Sequence, residues 1–332
     1  MVGRISRTRS TQKFYQCPGD FTTMSPDILR LGAGGSRTRP SIKVVGVGGA
    51  GCNIVSDSTF EAVAICKQEE AHNVAKFQRR CLLSGEHMRL LKTTSPQMIS
   101  SIGGNLRSGI FSAIGDADVM FLFTGLGGDT GSHVTPALAH ICRKHARMVI
   151  VSVALPFSVE GGDRRYIASS SMEKVMEHSD MVISYANDSL LKIAPNLPLR
   201  KAFSAMDIIM MAPVVELACS LTMEDLQQVR SDFAAAKHVR TGIGISGGCD
   251  RELRAVDEAF TSPWFDFDLR QVKAALVIVT ASYVDENMLS KVALDVAFRL
   301  PKAKVRFAGR ADDGMGDRVK IVVLAGIGPI KP

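Results

Sequence analysis

The stretch GVGGAGCN (46–53) decides the reading of this chain. It follows the apolar run Ile42–Val47, which reads as a buried strand, and it opens a helix, so that backbone N–H groups stand without side-chain obstruction at a helix N-terminus. Such a turn binds phosphate, because the helix dipole and the unpaired first-turn donors both favour an anion. Gly46, Gly48 and Gly51 also satisfy the G-x-G-x-x-G spacing of dinucleotide sites, which makes an NAD-dependent oxidoreductase the alternative to weigh. That alternative wants a carboxylate at the end of the second strand to hold the ribose. After the next apolar run, Ala62–Ile65, the chain offers Cys66, Lys67 and Gln68, and the carboxylates Glu69 and Glu70 come late.

A second glycine loop, TGLGGDTGSH (124–133), argues against a dinucleotide site, which does not need it. It again follows an apolar strand, Val119–Phe123, and again opens a helix, for which Thr135 and Pro136 are the expected N-cap and first-turn residues. Two such loops can clamp one polyphosphate. Neither is a P-loop, since no Gly-Lys-Ser/Thr follows at the required spacing.

Working outward, short apolar runs alternate with longer amphipathic stretches, the pattern of strands and helices in a parallel sheet. Further strands are expected at Met148–Val153 and Met181–Ser184. The apolar stretch from Asp207 to Cys219 is too long for one strand and reads as a buried helix, kinked at Pro213, between two halves. A polar helix at Glu224–Lys237, helices at Arg251–Phe260 and Asp285–Leu300, and strands at Ala275–Thr280, Val305–Ala308 and Val319–Leu324 complete a smaller α+β unit. The expected fold class is therefore α/β: a parallel-sheet nucleotide-binding domain (41–204), a central helix and connection (205–222), and a C-terminal α+β domain (223–332).

At 332 residues, 46% hydrophobic and 22% charged, the chain can bury a substantial core. Its formal charge of +7 is concentrated at one end, because residues 1–40 hold seven Lys/Arg against two Asp. The remainder is nearly balanced, which gives no reason to expect nucleic-acid binding by the folded body. Residues 1–40, rich in Arg, Ser, Thr, Gly and Pro, are expected to be disordered. Seven scattered cysteines without a Cys-x-x-Cys pair argue against a disulfide framework or a zinc site and for a reducing cytoplasm. No apolar run approaches the roughly 18 residues that span a bilayer.

Several further motifs follow the two loops in order: PFSVEG (156–161) with Arg164, ANDSLLK (186–192), SGGCDR (246–251) and DDGMGDRVKIVVLAG (312–326). Together with IKVVGVGGAGCN (42–53) and GGDTGSH (127–133) they resemble the tubulin/FtsZ superfamily, and FtsZ most closely, from Ile42 to about Ile327. The resemblance implies GTP or GDP as ligand, a GTPase activity, and subunits stacking head to tail in a cytoskeletal filament of a prokaryotic cytoplasm. The partner is then the chain itself or a conventional FtsZ. By position, Gly48, Gly49, Ala50, Gly51 and Asn53 would line the first loop, and Gly127, Gly128, Asp129, Thr130 and Gly131 would meet the phosphates. Pro156, Glu160 and Arg164 would face ribose and phosphates. Asn187 would read the guanine edge, Phe203 would stack on the base and Asp207 would bond its far side.

The resemblance breaks at the hydrolytic element. Where the family carries Asn-x-Asp-x-x-Asp, this chain has Met223-Glu224-Asp225-Leu226-Gln227-Gln228, leaving Asp225, with Gln228 as the one side chain that could orient a water. Hydrolysis is expected to be slow or lost, and the alternative is a structural or regulatory paralogue with GTP/GDP as a fixed cofactor. Asp129 and His133 replace glycines of the signature loop. A carboxylate within about 4 Å of a phosphate costs roughly 1–4 kcal/mol unless compensated. A bound Mg²⁺ would compensate, which makes Asp129 a candidate to help hold one, while its pointing into solvent is the plainer alternative. The segment LLKTTSPQM (90–98), where the γ-phosphate would be sensed, lacks the family's glycines and offers Lys92 and two threonines. The family usually continues past its last strand into a peptide that docks on membrane tethers. With the sequence ending at Pro332, membrane contact is expected only indirectly or through the basic N-terminal segment.

Overall fold

The computed structural model describes residues 27–28, 38–102, 104–193 and 198–328. The expectation of disorder for residues 1–40 falls mostly outside them, but Asp27–Ile28 (β1) forms a short strand parallel to a C-terminal one.

The first half alternates strand and helix as the apolar periodicity requires. Strands Ile42–Val47 (β2), Glu61–Lys67 (β3), Arg79–Leu83 (β4), Ala117–Gly125 (β5), Ala146–Leu155 (β6) and Met181–Ala186 (β7) pair in parallel in the order β7-β6-β5-β2-β3-β4. Between them run helices Gly48–Val55 (α1), Gly85–Thr93 (α2), Pro96–Ile102 (α3), Gly104–Ile114 (α4), Asp129–Cys142 (α5), Gly162–His178 (α6) and Asp188–Ile193 (α7). A single long helix, Leu199–Ser220 (α8), leads through Met223–Phe233 (α9) into the second half. There His238–Ser246 (β8), Val272–Ala281 (β9), Lys304–Ala311 (β10) and Val319–Ile327 (β11) are joined by Arg251–Phe260 (α10) and Glu286–Arg299 (α11).

The two halves share one sheet. β8 continues it from β7 through two residue pairs, Val182 with His238 and Ile183 with Val239, and β11 then lies antiparallel between β8 and β9. One face of this sheet is covered continuously by α1, α8 and α9, whose Val55, Met206, Met210, Val214, Leu217, Val229 and Phe233 belong to a core that reaches from Val44 to Leu324. The opposite face carries two separate cores, one under α2 to α6 and one under α10 and α11. The central helix is thus what both halves pack against. It begins six residues before the expected boundary at 205 and continues as helix through Pro213.

Residues Lys201–Ser220 of α8 are long and apolar enough to cross a membrane, with mean hydropathy 1.7, contrary to the expectation that no segment would be. Their packing explains the composition differently. Glu216 is completely buried there, where it accepts from the Thr280 hydroxyl at 2.7 Å and pairs with Arg310 and Lys320. A carboxylate so satisfied belongs to a protein interior. The polar helix expected over Glu224–Lys237 stops at Phe233, because Lys237 leads directly into β8.

Candidate functional site

The two glycine loops stand side by side at the C-terminal ends of β2 and β5, the rim where parallel α/β sheets present ligand sites. Two of the glycines are needed for packing. A Cβ on Gly51 would lie 2.0 Å from the Phe123 carbonyl oxygen, and one on Gly131 would lie 2.2 Å from the Gly125 carbonyl oxygen, so each helix is drawn against its strand only because these residues lack side chains. Gly49 and Gly128, by contrast, are exposed and would meet nothing within 4 Å if they carried a Cβ. With exposed Ala50 and Asn53 they form the open floor of the cradle.

Helix α5 begins at Asp129 with Gly128 as its N-cap residue, so Thr135 and Pro136 are not its start as expected but lie buried within it. Gly127 makes the early start possible: its φ of +93° turns the chain, and its N–H is held by the Ser132 hydroxyl at 2.9 Å. That N–H is therefore spent inside the loop, and the donors left for an anion are those of the first turn after it. The two loops meet where a Cβ on Gly48 would come within 3.2 Å of the Thr130 Cβ.

Asp129 has partners that composition alone did not reveal. Its Oδ2 is 2.5 Å from the Lys67 ammonium and its Oδ1 is 2.6 Å from that of Lys92, with His133 at 3.4 Å. Burial opposes ionisation, but the two lysines outweigh it and hold the carboxyl below its ordinary range. The compensation assigned to Mg²⁺ is thus supplied by two ammonium groups, and among the described residues no cluster of three or more His, Cys, Asp or Glu forms a metal site. Lys67 ends β3, the place where a dinucleotide site would want a ribose-binding carboxylate. Lys92 comes from the segment expected to sense the γ-phosphate, folded here as the end of α2, with α3 starting at Pro96.

On the far side of the cradle, Pro156 and Arg164 close on Gly127, the Arg164 carbonyl oxygen lying 3.0 Å and the Pro156 Cγ 3.3 Å from the position of its missing Cβ. Glu160 accepts from the Phe157 N–H at 2.7 Å and pairs with Arg164, so these two residues, expected to face ribose and phosphates, hold one another. Asn187 sits just past the end of β7. Its backbone N–H donates to the Leu155 carbonyl oxygen, and its side-chain Oδ1 is buried without a donor. Phe203 and Asp207 stand one turn apart on α8, Phe203 exposed with its ring edge-on to Phe157 at 6.1 Å. Burial first, and then Asp57, push the Asp207 carboxyl up to about 6. An unsatisfied acceptor, an exposed ring and a half-buried carboxyl fit a planar base bearing N–H donors, and the glycine floor fits its phosphates.

Asp225 and Gln228 lie elsewhere. Met223 donates to the Thr38 carbonyl oxygen ahead of β2, and Met223, Leu226, Gln227 and Arg230 line a depression with Arg147 and Met148 at the start of β6. This is the N-terminal rim of the parallel strands, a strand length of roughly 20–30 Å from the loops. The Asp225 carboxylate closes the capping box of α9, accepting from the Thr222 N–H at 2.9 Å and its hydroxyl at 2.7 Å.

A mainly parallel sheet with paired glycine loops at one rim and a long helix joining two halves defines a nucleotide-binding protein of the tubulin type. Residues 77–195 match the family model described as the Tubulin/FtsZ family, GTPase domain. The cell division protein FtsZ 1 of Thermococcus kodakarensis is 30% identical over 296 residues, spanning 85% of this chain and 79% of that protein. Among solved structures, the FtsZ dimer of M. jannaschii, described as empty, superposes with a TM-score of 0.73 at 28% identity over 87% of this chain and 88% of that one. CetZ2 from Haloferax volcanii, solved as a GTPγS-bound protofilament, shares the fold with a TM-score of 0.70 at 18% identity over 88% of this chain and 94% of that one. The chain belongs to the FtsZ family.

Proposed function

We propose that this protein binds a guanine nucleotide between the two glycine loops and the central helix, and assembles with copies of itself in the cytoplasm as a cytoskeletal polymer. The observation that carries the reading is the buried, unpartnered Asn187 Oδ1 on the same rim as the loops. Leaving such an acceptor empty costs about 1–3 kcal/mol, which a base N–H would recover. The base then lies between Asn187, Phe203 and Asp207, and its phosphates run over Gly48, Gly49, Ala50 and Gly128 to Gly131.

Head-to-tail stacking is supported by the placement of Asp225 and Gln228 on the opposite rim, where they can meet a nucleotide only if it is held by another subunit. A non-hydrolysing reading is favoured by one specific contact: the Asp225 carboxylate is already committed to Thr222. We therefore assign slow turnover or none, with the nucleotide acting as a fixed cofactor. Membrane contact, indirect or through residues 1–40, and co-assembly with a conventional FtsZ are subordinate to this reading.

The test is phosphate release and light scattering on the same samples at rising protein concentration, with GTP and with GDP. Scattering that rises with nucleotide while little phosphate is released is the expected result. Turnover per subunit that climbs with concentration would overturn the non-hydrolysing assignment, and absence of nucleotide binding would overturn the whole reading.

A further inference from the structure

Asn187 and Lys67 mark the two ends of the candidate cradle. Asn187 follows β7 and Lys67 ends β3, which is four strands along the rim in the order β7-β6-β5-β2-β3, roughly 19 Å at the usual strand spacing. A nucleotide whose base lies at Asn187 and α8 therefore extends its phosphate chain toward Lys67. At that end the cradle is closed by an ion-paired bridge, Lys67 on Asp129 Oδ2 and Lys92 on Asp129 Oδ1, joining β3, the start of α5 and the end of α2. We propose that this bridge makes Asp129 the residue that sets phosphate number, so that the site takes a nucleoside diphosphate in preference to the triphosphate. The inference rests on the guanine-nucleotide reading above.

The geometry makes attraction and repulsion inseparable. Each ammonium group is within 2.6 Å of a carboxylate oxygen. A terminal phosphate that reached either lysine at hydrogen-bond distance, about 2.8 Å, would therefore lie within roughly 5 Å of the Asp129 carboxylate. It would also have to share each lysine's charge with that carboxylate. Both carboxylate oxygens hold an ammonium, so a phosphate that drew either lysine away would weaken an ion pair at the helix N-terminus. His133 is held as well, its Nδ1 being 2.7 Å from the Asp129 carbonyl oxygen. A diphosphate ends before the bridge and leaves it intact. Removing the charge of Asp129 releases two cations at the position of the third phosphate.

Equilibrium titration of full-length protein with GDP and with GTPγS, in wild type, Asp129→Asn and Asp129→Asn combined with Lys92→Gln, tests the proposal. Wild type is expected to bind GDP about tenfold tighter than GTPγS. Asp129→Asn is expected to tighten GTPγS about tenfold while leaving GDP within about threefold, and Lys92→Gln in that background to remove most of the gain. Thermal melting of each variant establishes that it is folded, and Asp129→Ser replaces Asp129→Asn should the latter not fold. Equal affinities in wild type, or parallel changes for both nucleotides in the variants, overturn the proposal while the guanine-nucleotide reading stands. No binding of either nucleotide to folded wild type overturns both.

Discussion

Glu216, in the second half of the central helix, accepts a hydrogen bond at 2.7 Å from the hydroxyl of Thr280 on β9. The same carboxylate pairs with Arg310 on β10, at 3.2 Å, and with Lys320 on β11, so one fully buried side chain ties α8 to three strands of the C-terminal half. Removing one member of a buried ion network leaves its partners uncompensated, which costs about 3–5 kcal/mol. Glu216→Ala is expected to lower the unfolding free energy by that amount. Thr280→Val, which deletes only the hydroxyl, is expected to cost about 1–3 kcal/mol. Urea denaturation of both variants checks the ordering.

The glycines of the loops divide into two kinds, and alanine substitution separates them. Gly51→Ala places a methyl 2.0 Å from the Phe123 carbonyl oxygen and is expected to destabilise the fold by about 1–3 kcal/mol or more. Gly49→Ala and Gly128→Ala meet nothing within 4 Å and are expected to melt within a few degrees of wild type while weakening nucleotide binding. Melting curves and nucleotide titration on the three variants distinguish the packing role from the ligand-facing one.

Asp207 predicts a pH dependence of both stability and binding. Its folded-state pKa of about 6 lies above the 3.8 of an ordinary aspartate, so the folded protein holds this proton more tightly than the unfolded chain. Its stabilising contribution is therefore fully present below about 3.8 and is lost as pH rises through about 6. Half-exposure screens the effect to about 1 kcal/mol. The ionised carboxylate accepts hydrogen bonds from base N–H groups, so guanine-nucleotide affinity is expected to rise between pH 5 and 7, an interval set by that pKa. Asp207→Asn should flatten both profiles, measured by urea titration and by nucleotide titration across this range.

Asp225→Ala is expected to act on stability rather than on the nucleotide site of its own subunit. It removes the acceptor for the Thr222 N–H and hydroxyl at the start of α9, a loss of about 0.5–2 kcal/mol. Nucleotide affinity of the isolated subunit should stay within about twofold of wild type, because the loops are at the other end of the strands, roughly 20–30 Å away. A large loss of affinity in the single subunit would show that α9 lies in the site.

The strands that bound the loops were legible because each is mostly apolar, as strands buried on both faces must be, and the one charge in β2, Lys43, donates to the Ile114 carbonyl oxygen. β4 and β8 were not legible, for opposite reasons. β4 opens with Arg79 and Arg80 and lies at the sheet edge, where one side of the strand is free to face solvent and charge is tolerated. β8 contains Gly242 and Gly244, which read as loop residues in isolation. In the fold a Cβ at either position would lie 2.2 or 2.0 Å from a carbonyl oxygen of α10, so these glycines mark a helix lying directly on the strand. The start of α5 was misplaced at Thr135 because the true N-cap, Gly128, has no capping side chain to recognise.

The order of the motifs along the chain determined the family, the parallel-sheet architecture and the position of the two glycine loops, since each depends on residue type and local spacing alone. Tertiary structure decided what those residues face. It gave Asp129 two lysines from elements distant in sequence, committed Glu160 to Arg164 and Asp225 to Thr222, left Asn187 Oδ1 without a donor, and set the helix that carries Gln228 on the rim opposite the loops. The physical reason is that charge compensation and hydrogen-bond satisfaction act over a few ångströms of space, and a linear sequence does not carry those distances.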